Sequence, residues 1–66
     1  MPLSGAAMLR LYENEGWVVL HRKGSHVKVG RGFLRETIPM HDELDRGLER
    51  KLLKRPRQTR LPREES

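Results

Sequence analysis

Apolar positions near the start of the chain recur at the spacing of an α-helix. They are Ala7, Met8, Leu11 and Tyr12. Residues three and four apart share one side of a helix, so this set forms an apolar face. Ser4 is a favourable N-cap, because its hydroxyl accepts from an unpaired N–H of the first turn, and Gly16 is a favourable residue just beyond the last turn. We therefore predict a helix over about residues 5–15.

The middle of the chain has the composition and the two-residue period of β-strands. Residues 17–21 read Trp-Val-Val-Leu-His, which is rich in β-branched and aromatic side chains, and residues 26–29 alternate polar with apolar. Residues 33–38 form a third candidate strand, preceded by a Gly-Arg-Gly turn at 30–32 and ended by Pro39. This pattern predicts a three-stranded antiparallel meander.

The positive φ that glycine can adopt favours one register for the first hairpin. A two-residue loop of Lys23 and Gly24 needs a positive φ at the lysine, whereas a three-residue loop of Arg22, Lys23 and Gly24 needs it only at the glycine. We therefore expect the three-residue loop. The strand pairs that follow from it are Val19 with Val27 and Trp17 with Val29.

Alternation along the second strand separates an apolar side from a polar side, whichever register applies. Val27 and Val29 point to one face of the sheet, and His26 and Lys28 point to the other. Two helices that flank a three-stranded sheet can both cover the valine side. The expected fold is α+β, in the order α-β-β-β-α, with both helices on one face of a three-stranded antiparallel sheet and with His26 and Lys28 on the open face.

A second helix and a basic tail complete the predicted organisation. Asp45 is a favourable N-cap, and Pro56 is expected to stop the helix after about Arg55. We expect the apolar residues of this helix, Leu48, Leu52 and Leu53, to be buried. From Pro56 onward the chain is polar and rich in charge and proline, which is typical of disordered segments. We therefore assign a domain to residues 1–55 and a basic, disordered tail to residues 56–66.

The charge balance favours a polyanionic partner. The chain has 14 Lys and Arg against nine Asp and Glu, a net charge of +5. Five cations and no acid lie within residues 22–35, whereas residues 36–49 hold five acids against one arginine. A small basic chain with a cationic block is typical of nucleic-acid binding, although a merely solvated surface remains the alternative for any one charge run.

Short apolar runs and the lack of cysteine limit the class of protein. The longest unbroken apolar run, residues 17–20, has four residues, far below the length of about 20 that spans a membrane. No secretory signal is recognisable, and neither disulfides nor thiolate metal sites are expected, because the chain has no cysteine. We expect a cytoplasmic protein without membrane contacts.

The three histidines are the residues best suited to catalysis or metal binding. His21, His26 and His41 do not have the helical spacing of a metal site. Ser25 and His26 are adjacent in the chain, so in a strand they point to opposite faces, which excludes a Ser–His dyad. No glycine-rich nucleotide fingerprint is present. We therefore expect no metal and no cofactor.

Cleavage of RNA without a metal is the chemistry that His26 could support. It needs a base for the 2′-hydroxyl, and histidine titrates near neutral pH. It also needs cations or N–H donors for the charge on the phosphate. The RNA-binding candidates near His26 are Arg22, Lys23 and Lys28 and the amides of Gly24 and Ser25. A passive contact with RNA is the alternative role for His26.

Several short motifs resemble those of the HicA toxin family, small ribonucleases of bacterial toxin–antitoxin pairs. The similar pieces are Ser4-Gly5, Gly16-Trp17, Lys23-Gly24-Ser25-His26, Ile38-Pro39-Met40-His41, Glu43-Leu44 and Gly47, in family order across about residues 3–54. The resemblance implies a double-stranded-RNA-binding-domain-like fold, which agrees with the predicted α-β-β-β-α order. It further implies that His26 is the catalytic histidine of an endoribonuclease acting on mRNA. It also implies a HicB-type antitoxin partner that covers the site in a hetero-oligomer.

The chain departs from the family pattern at three places, and two other functions remain open. Gly47 is followed by Leu-Glu instead of Thr-Leu, residues 30–32 replace a His-Pro-Asp-Gly turn, and a basic tail replaces an acidic-hydrophobic segment. The first alternative is a non-catalytic RNA-binding module that uses the same basic face and binds RNA without cleaving it. The second is a DNA-binding accessory protein, for which duplex DNA would compete equally with RNA.

Overall fold

The computed structural model describes residues 2–58, which form two helices and one three-stranded sheet. The elements are α1 (Gly5–Asn14), β1 (Val18–Lys23), β2 (His26–Arg31), β3 (Leu34–Pro39) and α2 (Arg46–Gln58). The strands are antiparallel, in the order β1-β2-β3. This confirms the predicted α-β-β-β-α order and the α+β fold like that of double-stranded-RNA-binding domains. Within the described residues, neither helix is long and apolar enough to cross a membrane.

Both ends of α1 follow from local chemistry. The hydroxyl of Ser4 accepts from the N–H of Ala7 at 3.1 Å, which confirms the predicted N-cap. Gly16 has φ 95°, a left-handed conformation that favours glycine, and the N–H of Trp17 donates to the Tyr12 carbonyl at 3.0 Å. This turn places the Trp17 indole against the Tyr12 ring, with 4.8 Å between the ring centroids.

The first hairpin has a shorter loop than the sequence predicted. Lys23 pairs with His26, so the loop is Gly24 and Ser25, and the predicted three-residue loop is wrong. Gly24 stands at the first loop position with φ 58°, where a two-residue hairpin needs a positive φ. The lysine stays in the strand because the glycine, one position later, takes the first place in the loop.

A β-bulge changes the register again between β1 and β2. Val19 pairs with Val29 and His21 pairs with Lys28, which leaves Leu20 as an extra residue in β1. Neither of the predicted pairs forms, Val19 with Val27 or Trp17 with Val29. Val19 is 46% exposed although its partner Val29 is fully buried, because β1 is an edge strand of the sheet.

The second turn lies later than predicted. β2 continues through Arg31, and the turn consists of Gly32 and Phe33, with φ 59° at Gly32. The expected Gly-Arg-Gly turn is wrong, because Gly30 pairs with Arg35 inside the sheet. Only the second glycine of that motif takes the left-handed conformation, and it sets the position of the turn.

The core lies between the helices and one face of the sheet. Its buried side chains are Met8, Tyr12, Trp17, Val27, Val29, Ile38, Leu44 and Leu52. Val27 pairs with Ile38, so these two share a face of the sheet, and residues of both helices pack against it. The prediction that both helices cover the valine face is confirmed. The sequence pattern does not reveal Leu44, which lies in the loop before α2.

α2 begins where predicted and continues past its predicted end. Asp45 Oδ2 accepts from two N–H groups of the first turn, at 3.1 and 3.4 Å. Pro56 lies buried inside the helix, so the predicted stop at Pro56 is wrong. Leu52 is buried as expected, whereas Leu53 is 41% exposed and does not join the core.

A side chain of α1 explains how α2 continues through its proline. Proline has no N–H to donate to the carbonyl four residues earlier, which here belongs to Leu52. The hydroxyl of Tyr12 donates to that oxygen at 2.7 Å. Burial, and after it the negative charge of Glu36, raises the pKa of Tyr12, so the phenol keeps its proton. Tyr12 therefore replaces the donor that Pro56 lacks.

The predicted tail lies mostly outside the described residues. Residues 56–58 belong to α2, and residues 59–66 are not described. The division into a domain of residues 1–55 and a disordered tail of residues 56–66 stays a prediction.

Backbone contacts fix the segment before α1 to the end of β3 and to the loop that follows. The N–H of Gly5 donates to the His41 carbonyl at 2.9 Å, and the N–H of Leu44 donates to the Leu3 carbonyl at 2.9 Å. A Cβ at Gly5 would overlap the carbonyl oxygen of Pro39, so α1 approaches β3 more closely than a side chain would permit. These contacts hold in place the end of β3 that borders the first hairpin loop.

Candidate nucleic-acid interface

The face of the sheet opposite the helices is exposed and cationic. Strand pairing and alternation place six polar residues on it, His21, Lys23, His26, Lys28, Arg35 and Thr37. All six are exposed, and no strand residue on this side is acidic. We call this surface the open face. It confirms that His26 and Lys28 point away from the buried valines.

His26 is held by its neighbours in the backbone of the sheet. It is the first residue of β2, and its Cα partners are Lys23 on β1 and Pro39 on β3. The carbonyl of Ser25, just before it, accepts from the N–H of Met40 at 2.6 Å, which ties the hairpin loop to the residue after β3. The backbone of His26 is therefore fixed on both sides while its side chain is exposed to solvent.

Two lysines flank His26 on the open face. Lys23 lies directly across from it on β1, and Lys28 lies two residues further along β2, about 7 Å away by the rise of a strand. Within residues 2–56, neither lysine forms an ion pair with a carboxylate. Both charges therefore remain available to an anionic ligand such as a phosphate.

Arg22 lies apart from the other cations near His26. It belongs to β1 and pairs with the buried Val27, so its side chain points to the helix side of this edge strand. Gly24 and Ser25, the other candidates from the sequence, form the loop immediately before His26. The role of Arg22 in RNA binding stays a prediction, and it would act from the edge of the sheet.

Of the other two histidines, one lies on the open face and the other lies outside the sheet. His21 pairs with Lys28 and is a diagonal neighbour of His26, at roughly 7–8 Å between Cα atoms. His41 follows β3, and its carbonyl accepts from the N–H of Gly5. In the described part of the chain, no group of three His, Cys, Asp or Glu side chains could hold a metal ion.

The sheet separates the cations of the open face from an acid on its other side. Glu36 pairs with Val29 and therefore points towards the helices. One of its oxygens lies 3.3 Å from Arg55 Nε, and the other lies 4.0 Å from Lys51 Nζ. The carboxylate is thus paired with α2, and the open face keeps its positive charge.

Sequence reasoning did not identify Arg35 and Leu20 as candidate functional residues of this surface. Arg35 pairs with Gly30 and lies on the open face. Alternation within β3 could have found it, because Arg35 lies an odd number of positions from the buried Ile38. Leu20 reaches the same surface through the β-bulge, which no sequence signal marks.

These features define a small α+β protein with a double-stranded-RNA-binding-domain-like fold and a cationic sheet face that carries an exposed histidine. A family model described as "HicA toxin of bacterial toxin-antitoxin" matches residues 5–55. This is most of the 66-residue chain, and the chain belongs to the HicA toxin family. No curated protein and no solved structure matches it significantly. The protein is therefore the toxin of a toxin–antitoxin pair, and its family implies a cognate antitoxin.

Proposed function

We propose that this toxin is an endoribonuclease that cleaves mRNA, with His26 as the general base. The observation that carries the proposal is the position of His26, an exposed histidine beside two lysines on a sheet face without strand acids. Histidine titrates near neutral pH, which suits a group that takes up a proton during a reaction. A phosphate drawn to Lys23 and Lys28 would lie beside the imidazole.

In the proposed reaction, His26 removes the proton of a 2′-hydroxyl group. The 2′-oxygen forms a bond to the adjacent phosphorus while the bond from phosphorus to the 5′-oxygen breaks. The leaving 5′-oxygen takes up a proton, for which His21 on the same face is the proposed donor. Lys23, Lys28 and the amides of the hairpin loop stabilise the charge that develops on the phosphate. The products carry 2′,3′-cyclic phosphate and 5′-hydroxyl ends, and no step requires a metal ion.

Analysis of the RNA ends tests this chemistry. The purified toxin is incubated with mRNA in the presence and absence of EDTA, and the ends of the fragments are identified. Cleavage that persists in EDTA and leaves cyclic phosphate ends is the expected result. Strict dependence on a divalent metal would contradict the mechanism, and salt-dependent RNA binding without any cleavage would support a non-catalytic binding module instead.

The cognate antitoxin is proposed to be of the HicB type and to cover the open face in a hetero-oligomer. An acidic surface on the antitoxin would complement Lys23, Lys28 and Arg35, and occlusion of His26 would stop RNA from reaching it. The affinity should fall as salt concentration rises. Modification of His26 by diethyl pyrocarbonate should be slower in the complex than in the free toxin. An unchanged modification rate would show that the antitoxin binds elsewhere.

A further inference from the structure

Two side chains converge on the open face beyond the site at His26. A Cβ at Gly30 would lie 2.7 Å from Leu20 Cδ1 and 2.9 Å from Arg35 Nη1, so both side chains lie over this glycine. Leu20 is brought there by the β-bulge and is 46% exposed. Arg35 is also exposed. An apolar group and a guanidinium therefore stand side by side, and the absence of a side chain at Gly30 makes the room for them.

The guanidinium of Arg35 is held in place by the adjacent turn. Its Nη1 donates to the carbonyls of Gly32 and Leu34, at 2.9 and 2.8 Å. Both acceptors are neutral, and Arg35 forms no ion pair within residues 2–56. Of the five N–H donors of a guanidinium, three remain for a ligand. A cation that is already fixed loses less conformational freedom when it binds an anion, which favours a phosphate at this position.

The distance from His26 to this pair matches a short stretch of nucleic acid. Gly30 lies four positions after His26 along β2, which is about 13 Å, and Lys28 lies between them on the same face. A stacked strand advances about 3.4 Å per nucleotide, so the interval holds at most about four nucleotides. A single RNA strand that passes His26 and Lys28 along β2 therefore reaches Arg35.

We propose that Arg35 and Leu20 form a second RNA subsite, in which Arg35 binds a phosphate of the strand being cleaved and Leu20 contacts the neighbouring nucleotide. The subsite lies within about four nucleotides of the phosphate at His26. This inference rests on the proposed ribonuclease function. It makes Arg35 a positioning residue, and it predicts that the toxin prefers substrates longer than a dinucleotide.

Binding of short fluorescent RNAs tests the subsite without depending on cleavage. Fluorescence anisotropy is measured with the His26→Ala protein, with and without Arg35→Ala, on an octanucleotide and a dinucleotide. Arg35→Ala should weaken octanucleotide binding by about tenfold, as expected for the loss of a charged hydrogen bond, and leave dinucleotide binding unchanged. The slope of log affinity against log salt should decrease by about 0.7. Arg10→Ala, at an exposed position of α1, is the matched control and should change neither quantity.

A second substitution distinguishes the effect of a fixed guanidinium from the effect of positive charge alone. Arg35→Lys keeps the charge, but its ammonium cannot donate to both turn carbonyls and also present a planar pair of N–H donors to a phosphate. The variant should therefore bind the octanucleotide more weakly while keeping most of the salt slope. Equal octanucleotide affinity of Arg35→Ala and its parent would overturn the subsite alone. An Arg35 effect on binding without cleavage by the wild-type toxin would leave the subsite standing and overturn the ribonuclease proposal. Absence of RNA binding by both the His26→Ala parent and the wild-type toxin would overturn both proposals.

Discussion

The two faces of one sheet have opposite properties along the same strands. Val27, Val29 and Ile38 are at most 1% exposed on the helix side, whereas His26, Lys28 and Thr37, which alternate with them, are exposed. The helices supply the packing for the first set and leave the second set free of packing constraints. The comparison indicates that stability depends on the helix side, whereas the proposed RNA chemistry belongs to the open face. Substitutions on each face should therefore affect one property and spare the other.

Loss of the largest side chain on the helix side should have the largest effect on stability. Trp17 is 2% exposed and packs edge-to-face on Tyr12. Trp17→Ala should cost about 3–5 kcal/mol, which is comparable with the whole stability of a small domain. Thermal unfolding measures the loss. Trp17→Phe should remain folded with a smaller loss, and Val18→Ala, at a 57% exposed position next to it, should change little. Wild-type stability of Trp17→Ala would contradict the assigned core.

The close approach of α1 to β3 should reverse the usual effect of alanine in a helix. Alanine normally favours a helix over glycine by about 1 kcal/mol. At Gly5, however, the new Cβ would overlap the Pro39 carbonyl and lie 2.7 Å from Met40 Cα, so Gly5→Ala should destabilise by about 1–3 kcal/mol. Gly47→Ala, in the first turn of α2, meets only Asp45 Oδ2 at 3.3 Å and should be neutral or stabilising. Equal effects of the two substitutions on urea unfolding would contradict the close contact.

The donor that Tyr12 supplies to α2 can be tested by a double-mutant cycle. Tyr12→Phe leaves the buried carbonyl of Leu52 without its donor and should cost about 1–3 kcal/mol. In the Pro56→Ala background a backbone N–H becomes available to the same oxygen. Tyr12→Phe should then cost clearly less, and the difference between the two costs is the coupling energy. Equal costs in both backgrounds would show that Tyr12 and Pro56 act independently.

Substitution of an open-face cation should have the smallest effect on stability. Lys28 is exposed and makes no ion pair within residues 2–56, so Lys28→Ala should change the free energy of unfolding by no more than about 0.5 kcal/mol. RNA binding should nevertheless weaken, with a salt slope lower by about 0.7. Lys54→Ala, at an exposed position of α2, should leave RNA binding unchanged. A large fall in melting temperature for Lys28→Ala would contradict the division between the faces.

Short-range patterns predicted most of the architecture. The cap at Ser4 and the glycine at Gly16 bound α1, and alternation placed His26 on the side opposite Val27, as the structure confirms. These signals depend only on residues close together in the chain. The open face could therefore be predicted from sequence in outline, including His26 and Lys28.

Features that depend on distant parts of the chain were not predicted correctly. α2 passes through Pro56 because Tyr12, on another helix, donates to Leu52. The β-bulge at Leu20 leaves no mark in the local pattern of residues.

The hairpin loop was misjudged for a local reason, since the loop starts at Gly24 and not before it. Register errors of this kind leave the alternation along β2 unchanged, which is why the face of His26 was still correct.

The most direct test measures both properties of one variant, His26→Ala. The rate of mRNA cleavage and the melting temperature are determined side by side for this variant and for the wild-type toxin. We predict that cleavage falls by about 10²–10⁴-fold, the usual contribution of a general acid–base group, while the melting temperature is unchanged because His26 is exposed. Full cleavage by a folded His26→Ala protein would contradict the account.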